Sequence, residues 1–116
     1  MKPSLTLGIE EEYQTVDPLT RDLQSHFETE ILPKGKLILS ERVKAEMHQS
    51  VIEVGTGICK DIKEASGEVK SLRAQVVALA KQSGLRLAAA GTHPFADWRK
   101  QEIYPDERYY NIVKDM

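Results

Sequence analysis

Between Asp61 and Gly84 the sequence permits little except one long helix, and that helix dictates what the rest of the chain must supply. Asp61 and Glu64 stand at capping-box spacing, in which each carboxylate accepts a bond from an amide left unpaired at the first turn. Ile62, Ala65, Val69, Leu72, Val76 and Leu79 then recur three and four positions apart, while Lys63, Glu68, Lys70, Arg73 and Lys81 lie elsewhere around the cylinder. Gly84 suits the left-handed conformation that ends such a helix. One face is therefore expected to be buried, and the neighbouring segments have to form the layer that buries it.

Those segments read as strands. Along residues 4–16, Leu5, Leu7, Ile9, Glu11 and Tyr13 fall on one side and Thr6, Gly8, Glu10, Glu12 and Gln14 on the other. Asp17-Pro18-Leu19-Thr20 reads as a turn. Pro33 and Gly35 interrupt residues 21–40, where only short strand pieces are expected. A second strand is expected over residues 45–54, with Ser50-Val51-Ile52-Glu53-Val54 as its β-branched centre, stopping at Gly55-Thr56-Gly57. Residues 85–90 are short enough for another strand, and residues 91–98 form a loop. Residues 106–116 begin a helix that stops without a cap, as in a chain cut short. The fold class is α+β.

With 116 residues the chain holds one core of ordinary size. Sixteen Lys and Arg oppose eighteen Asp and Glu without a long stretch of either sign, so the expected partners include no nucleic acid. No apolar run reaches membrane-spanning length, and the amino terminus has no signal-peptide core, so no membrane partner is expected either. Cys59 is the only cysteine, which excludes an internal disulfide and makes a reducing cytoplasmic location the simplest one.

The acids on the strands carry the chemistry. Strand alternation sets Glu10 and Glu12 on one side, about 7 Å apart. Carboxylates held that close in a partly buried sheet raise each other's pKa unless a cation lies near them, and magnesium takes one or two carboxylates together with substrate phosphates. The alternative is that Glu10, Glu11 and Glu12 are the solvated end of an edge strand. Glu53 interrupts an apolar run between Ile52 and Val54, so it must face either solvent or a positive partner. Glu46 lies seven positions earlier, at opposite parity, and reaches the same site only across a bulge or bend.

Three separated motifs occur in order: Leu7-Gly8-Ile9-Glu10-Glu11-Glu12-Tyr13, then Glu46-Met47-His48-Gln49-Ser50-Val51-Ile52-Glu53-Val54, then Gly91-Thr92-His93-Pro94-Phe95. Together they resemble the start of the type-2 glutamate-cysteine ligase family of bacterial carboxylate-amine ligases, over nearly the whole chain. The resemblance implies an antiparallel sheet related to glutamine synthetase, with residues 1–116 as the amino-terminal part of one catalytic domain. It implies magnesium held by Glu10, Glu12, Glu46 and Glu53, with ATP as co-substrate. The reaction implied phosphorylates a carboxylate, that of glutamate, and lets an amine such as that of cysteine displace the phosphate. Family members are much longer, and their histidine-bearing strand and basic phosphate-binding residues have no counterpart here. A catalytic base is not identifiable.

Other readings compete at particular residues. The strand running into Gly55-Thr56-Gly57 and a helix outlines a dinucleotide-binding unit, but Lys60 stands in place of the third glycine. A non-catalytic binding or assembly module would use the same acids as surface and the helix stripe as an interface. His48 and His93 read as structural before they read as metal ligands, and Cys59 as a small buried residue. Trp98, Tyr104, Tyr109 and Tyr110 read as packing or interface, and Arg99 and Lys100 as solvated. Strand edges lacking neighbours favour self-association, so a homo-oligomer is expected.

Overall fold

The computed structural model describes residues 2–25 and 31–116. Its elements are β1 (Glu10–Val16), α1 (Leu32–Leu39), β2 (Val43–Ala45), β3 (Val51–Gly55), α2 (Ile62–Gln82), β4 (Arg86–Ala88) and α3 (Glu107–Asp115). Single 3-10 turns occupy Ser40–Arg42 and Trp98–Lys100. The four strands form one antiparallel sheet in the order β2-β3-β1-β4. The architecture is the α+β arrangement expected, an antiparallel sheet with the long helix on one face. Among the described residues no helix is long and apolar enough to cross a membrane.

Helix α2 begins and ends as its sequence dictates. The Asp61 carboxylate accepts the Glu64 amide at 2.8 Å, while Glu64 Oε2 accepts the Lys60 amide at 3.1 Å. At the other end Gly84 has φ +71°, and the Leu85 amide reaches back to the Ala80 carbonyl at 2.9 Å. That pairing satisfies a carbonyl the last turn would otherwise leave open. Between these caps Ala65, Leu72, Val76, Leu79 and Ala80 are buried. Leu72, Val76, Leu79 and Ala80 pack with Tyr13, Ile52, Val54, Val43, Ile31, Leu32 and Leu39 in one core between the helices and the sheet. Ile62, at the first turn, is 72% exposed and stands outside that core.

Three sequence expectations shift. Paired strand begins at Glu10 rather than Ser4; the earlier residues touch the fold through a bridge in which Leu7 and Cys59 exchange amide bonds of 2.9 and 2.8 Å. Within residues 21–40 the described portion contains α1 rather than strand pieces, and residues 26–30 lie outside the described residues. Pro33 sits in the first turn of α1, where a missing N–H costs nothing. Gly35 is buried, and a Cβ there would lie 3.1 Å from Val43 Cγ1, so its lack of a side chain lets α1 lie against β2.

The third shift concerns residues 45–54, which are not one strand. The chain leaves β2 after Ala45, turns with the Val51 amide on the His48 carbonyl at 3.1 Å, and returns as β3. This hairpin pairs Val43 with Val54, Lys44 with Glu53 and Ala45 with Ile52. Residues 102–104 occupy the turn's free backbone groups, with Gln49 N on Glu102 O at 2.9 Å and Tyr104 N on Met47 O at 2.8 Å. Outside pairing therefore stabilises the reversal.

Two glycines with empty space around their α-carbons should respond to alanine with opposite signs. Gly67 lies inside α2, so Gly67→Ala should stabilise by about 1 kcal/mol through the reduced entropy of the unfolded chain. Gly84→Ala should destabilise by about 1 kcal/mol, since only the left-handed backbone opposes it. Urea midpoints of the two variants would measure both.

Candidate functional site

The pleat divides the acids of β1. Tyr13 and Thr15 face the helices, and so does Glu11 at the wet end of that face; Glu10, Glu12 and Gln14 project from the opposite face. On β3 the core takes Ile52 and Val54, which leaves Glu53 on the outer face. Register then sets Glu53 directly opposite Glu12 on one side and Lys44 on the other, while Glu10 pairs with Gly55. Glu46 follows β2, in which Val43 is buried and Lys44 points outward, so the same alternation turns Glu46 outward as well. The hairpin supplies the bend that the parity of Glu46 and Glu53 requires.

These placements bring three of the four expected ligands together. One carboxylate oxygen each from Glu12, Glu46 and Glu53 lies within 4.8 Å of the others. Glu12 is exposed, and Glu46 and Glu53 are half-buried. Glu10 stands outside that trio, lining an adjacent cleft of about 490 Å³ with Arg42, Lys44 and Thr56. Its charge still reaches Glu53. Burial pushes the Glu53 carboxyl above its ordinary range, and the negative charges of Glu10, Glu46 and Glu12 push in the same direction against the opposing pull of Lys44. Tyr109 of α3 flanks the group, with its hydroxyl 3.5 Å from the Ala45 carbonyl. Burial first and the Glu46 charge second raise its phenol pKa.

Glu11 has the opposite circumstances. Its carboxylate pairs with the Arg73 guanidinium, whose Nε lies 2.8 Å from Oε2, and it also accepts the Tyr13 hydroxyl. The Arg73 hydrogen bond holds the Glu11 carboxyl below its ordinary range. The middle acid of the run thus ties α2 to the sheet, and its neighbours face away.

The other residues singled out in the sequence are structural in their contacts. His93 Nδ1 accepts the amides of Ala96 at 3.0 Å and Phe95 at 3.3 Å, so the proton is on Nε2, which donates to the Arg21 carbonyl at 2.7 Å. Both ring nitrogens are committed to organising the loop. Cys59 is fully buried. Tyr104 packs edge-on against Tyr109 with ring centroids 6.4 Å apart, and the Arg99 guanidinium lies 5.4 Å from the centre of the exposed Trp98 ring. Sequence reading missed Lys44, two residues before Glu46, to which only the strand register points.

The donor set of the trio is all oxygen, which suits a hard divalent cation. Its span compares with the roughly 4.2 Å between opposite ligands of magnesium, twice the metal–oxygen distance, so small side-chain rotations close it. Within hydrogen-bonded strand register only Lys44 opposes the trio's charge.

Residues 6–116 match the family model described as Glutamate-cysteine ligase family 2. Curated relatives carrying the name "Putative glutamate--cysteine ligase 2" include one from Solibacter usitatus (strain Ellin6076), 65% identical over 116 residues, covering 100% of this chain and 30% of the relative. One from Herpetosiphon aurantiacus is 56% identical over 111 residues, 96% of this chain and 29% of the relative. One from Roseiflexus sp. (strain RS-1) is 55% identical over 111 residues, with the same two coverages. The chain therefore spans about three tenths of the length of the curated relatives it matches.

The charge crowding at Glu53 predicts a pH signature. A carboxyl raised above its unfolded value holds its proton more tightly when folded, so its favourable contribution exists at acid pH and is lost as pH rises through the folded pKa. Without divalent cations, Glu53→Gln should therefore stabilise the chain at pH 7 by about 0.5 kcal/mol, the scale of a like-charge cross-strand pair. The gain should vanish below about pH 4, where the glutamate itself is protonated. Denaturant midpoints in EDTA across that range would test the sign.

Proposed function

Because the chain belongs to the glutamate-cysteine ligase family 2, we propose that it forms the acidic, metal-holding wall of an ATP- and magnesium-dependent ligase site within a glutamine-synthetase-like catalytic domain. The observation that carries this reading is the convergence of Glu12, Glu46 and Glu53 on one outward sheet face. The reaction moves the terminal phosphoryl group of ATP onto a substrate carboxylate, that of the glutamate side chain, with ADP leaving. The nitrogen of an amine such as cysteine then attacks the acyl carbon. Phosphate departs with the bonding electrons, the amine loses a proton, and an amide remains.

Such a reaction asks little covalent chemistry of the protein and much positioning and charge neutralisation, which accounts for a site built of acids without a nucleophile. Bound magnesium would neutralise the phosphate oxygens during transfer. Glu12, Glu46 and Glu53 hold the cation in this reading, and Glu10 holds a cation at the rim, beside the cleft that contains Arg42 and Lys44. Lys44 limits the negative charge around Glu53. The remaining parts of the site would come from the larger share of the relatives' length that this chain does not match.

Calorimetric titration of magnesium, alone and with a non-hydrolysable ATP analogue, tests the assignment. Glu12→Gln, Glu46→Gln and Glu53→Gln should each weaken magnesium binding by about 10-fold or more. Glu11→Gln should leave it unchanged, since that carboxylate pairs with Arg73 on the other face. Equal magnesium affinity in the wild type and all three outer-face variants, with folding intact by circular dichroism, would remove the chemical basis of the proposal.

A further inference from the structure

His93 joins two loops, and its two ring nitrogens do different jobs. Nε2 donates to the Arg21 carbonyl at 2.7 Å, in the turn after β1, whereas Nδ1 accepts the amides of Ala96 at 3.0 Å and Phe95 at 3.3 Å in its own loop. The anchor side is tied down, since the Arg21 amide donates to the Asp17 carbonyl and the Asp17 amide to the Asp22 carbonyl, both at 2.9 Å. The Phe95 ring packs edge-on against the imidazole, with centroids 4.5 Å apart. This arrangement requires a neutral ring. A proton on Nδ1 would set an N–H against two amide donors and leave both amides without an acceptor, while Nε2 donates to Arg21 in either state. The proton and the closed loop therefore exclude each other.

The loop runs directly into the segment that stabilises the hairpin bearing Glu46. The Asp97 carbonyl accepts Gln101 Nε2 at 3.1 Å, and Gln101 Oε1 accepts the Ser50 hydroxyl at 3.2 Å. Gln49 Nε2 donates to the Ile103 carbonyl at 3.1 Å, beside the backbone bonds that Gln49 and Tyr104 make with Glu102 and Met47. The Met47 amide in turn donates to the Glu46 carboxylate at 2.8 Å. Hydrogen bonds along residues 93–104 thus connect the imidazole to the turn that places Glu46.

The charges around the ring are engaged elsewhere or exposed. In the anchoring turn the Asp17 carboxylate accepts the amides of Leu19 and Thr20, the Asp22 carboxylate accepts that of Leu23, and Arg21 is exposed. Asp97 accepts the Arg99 amide at 3.0 Å and faces the Arg99 guanidinium at 4.0 Å, with Lys100 exposed beside them. Across the small cleft between loop and hairpin, the other titratable residue is His48. Among the described residues no acid is ion-paired with His93, so protonation gains no partner to offset the amide bonds it breaks.

We propose that His93 is a proton-controlled positioning residue: its neutral ring latches the 91–98 loop, and the latched loop, through residues 101–104, keeps Glu46 within reach of Glu12 and Glu53. Acid opens the latch and alkali closes it. The latch stands on the hydrogen bonds alone, whereas its consequence for cation binding rests on the metal-holding reading of the trio.

NMR of the isotope-labelled chain in EDTA, from about pH 8 to about pH 5, can follow the ring nitrogens of His93 and His48 together with the amides of Phe95, Ala96, Gln49 and Tyr104. The Phe95 and Ala96 amides should shift with the midpoint of the His93 ring. Hydrogen-exchange protection at Gln49 and Tyr104 should fall about 10-fold through the same transition, the scale of the amide bonds lost. His93→Asn keeps an acceptor oxygen near the Nδ1 position and takes up no proton, so its protection should not change with pH. His93→Ala lacks the acceptor and should show the acid pattern throughout; the wild-type titration decides the matter if neither variant folds. In calorimetric titrations with magnesium the wild type should lose about 10-fold more affinity than His93→Asn over the same pH range, because proton competition at the carboxylates is common to both. Loop amides that stay fixed while His93 protonates, or that follow His48 instead, would overturn the latch. Protection at Gln49 and Tyr104 that survives loop opening, or equal losses of magnesium affinity, would overturn its link to Glu46. A wild type that binds no magnesium at any pH, with loop amides still tracking His93, would count against the metal reading and in favour of the latch, so the two ideas fail separately.

Discussion

The pairing register of β1 with β3 is the constraint from which the site follows. Tyr13 and Ile52 lie opposite each other in that register, and both are buried against α2. A slip of β3 by one residue would turn Ile52 and Val54 to solvent and bring Glu53 inward. Burying each large apolar side chain is worth about 1.5–3 kcal/mol, whereas a like-charge pair across strands costs about 0.2–1 kcal/mol. The core therefore wins, and the repulsion between Glu12 and Glu53 is imposed by packing on the far side of the same sheet. Carboxylates held together in this way are ready for a cation, because the fold has already met the cost of assembling them.

The run Glu10-Glu11-Glu12 illustrates how one pleat separates two jobs. Glu11 meets Arg73 and Tyr13, and its charge is stabilised by a donor in the helix layer. Its partners' contribution is lost as acid protonates it, since its pKa lies below the ordinary range. Glu53, across the sheet from that ion pair, has its pKa shifted the other way. Stability in acid and in neutral solution is thus drawn in opposite directions by the two faces, and a bound divalent ion would relieve only the outer one.

Much of this arrangement was legible from residue order. The caps of α2, most of the stripe that it buries and the outward parity of Glu10 and Glu12 depend on local chemistry with fixed periods and stand where their residues require, whereas Ile62 at the first turn of the stripe is exposed. The hairpin at residues 46–50 was not legible, because its turn lacks glycine and proline and is stabilised by residues 102–104, distant in sequence. The parity of Glu46 looked unfavourable for that reason alone. Helix α1 was missed because Pro33 and Gly35 are breakers in a helix interior, yet one falls in the first turn and the other against Val43. Lys44 is ordinary in sequence; its relation to the acids is a property of the sheet.

The outer face is what an isolated sheet would avoid. Along β1 and β3 it presents Glu10, Glu12, Gln14 and Glu53 where a second hydrophobic layer would otherwise pack, and only Lys44 among the directly paired residues has opposite charge. Covering is partial and polar: the 91–98 loop over Gln14, and Tyr109 of α3 beside Glu46. Stability alone would favour neutral residues at these positions. Crowded carboxylates on this face are an unfavourable term of the kind that a divalent cation would relieve.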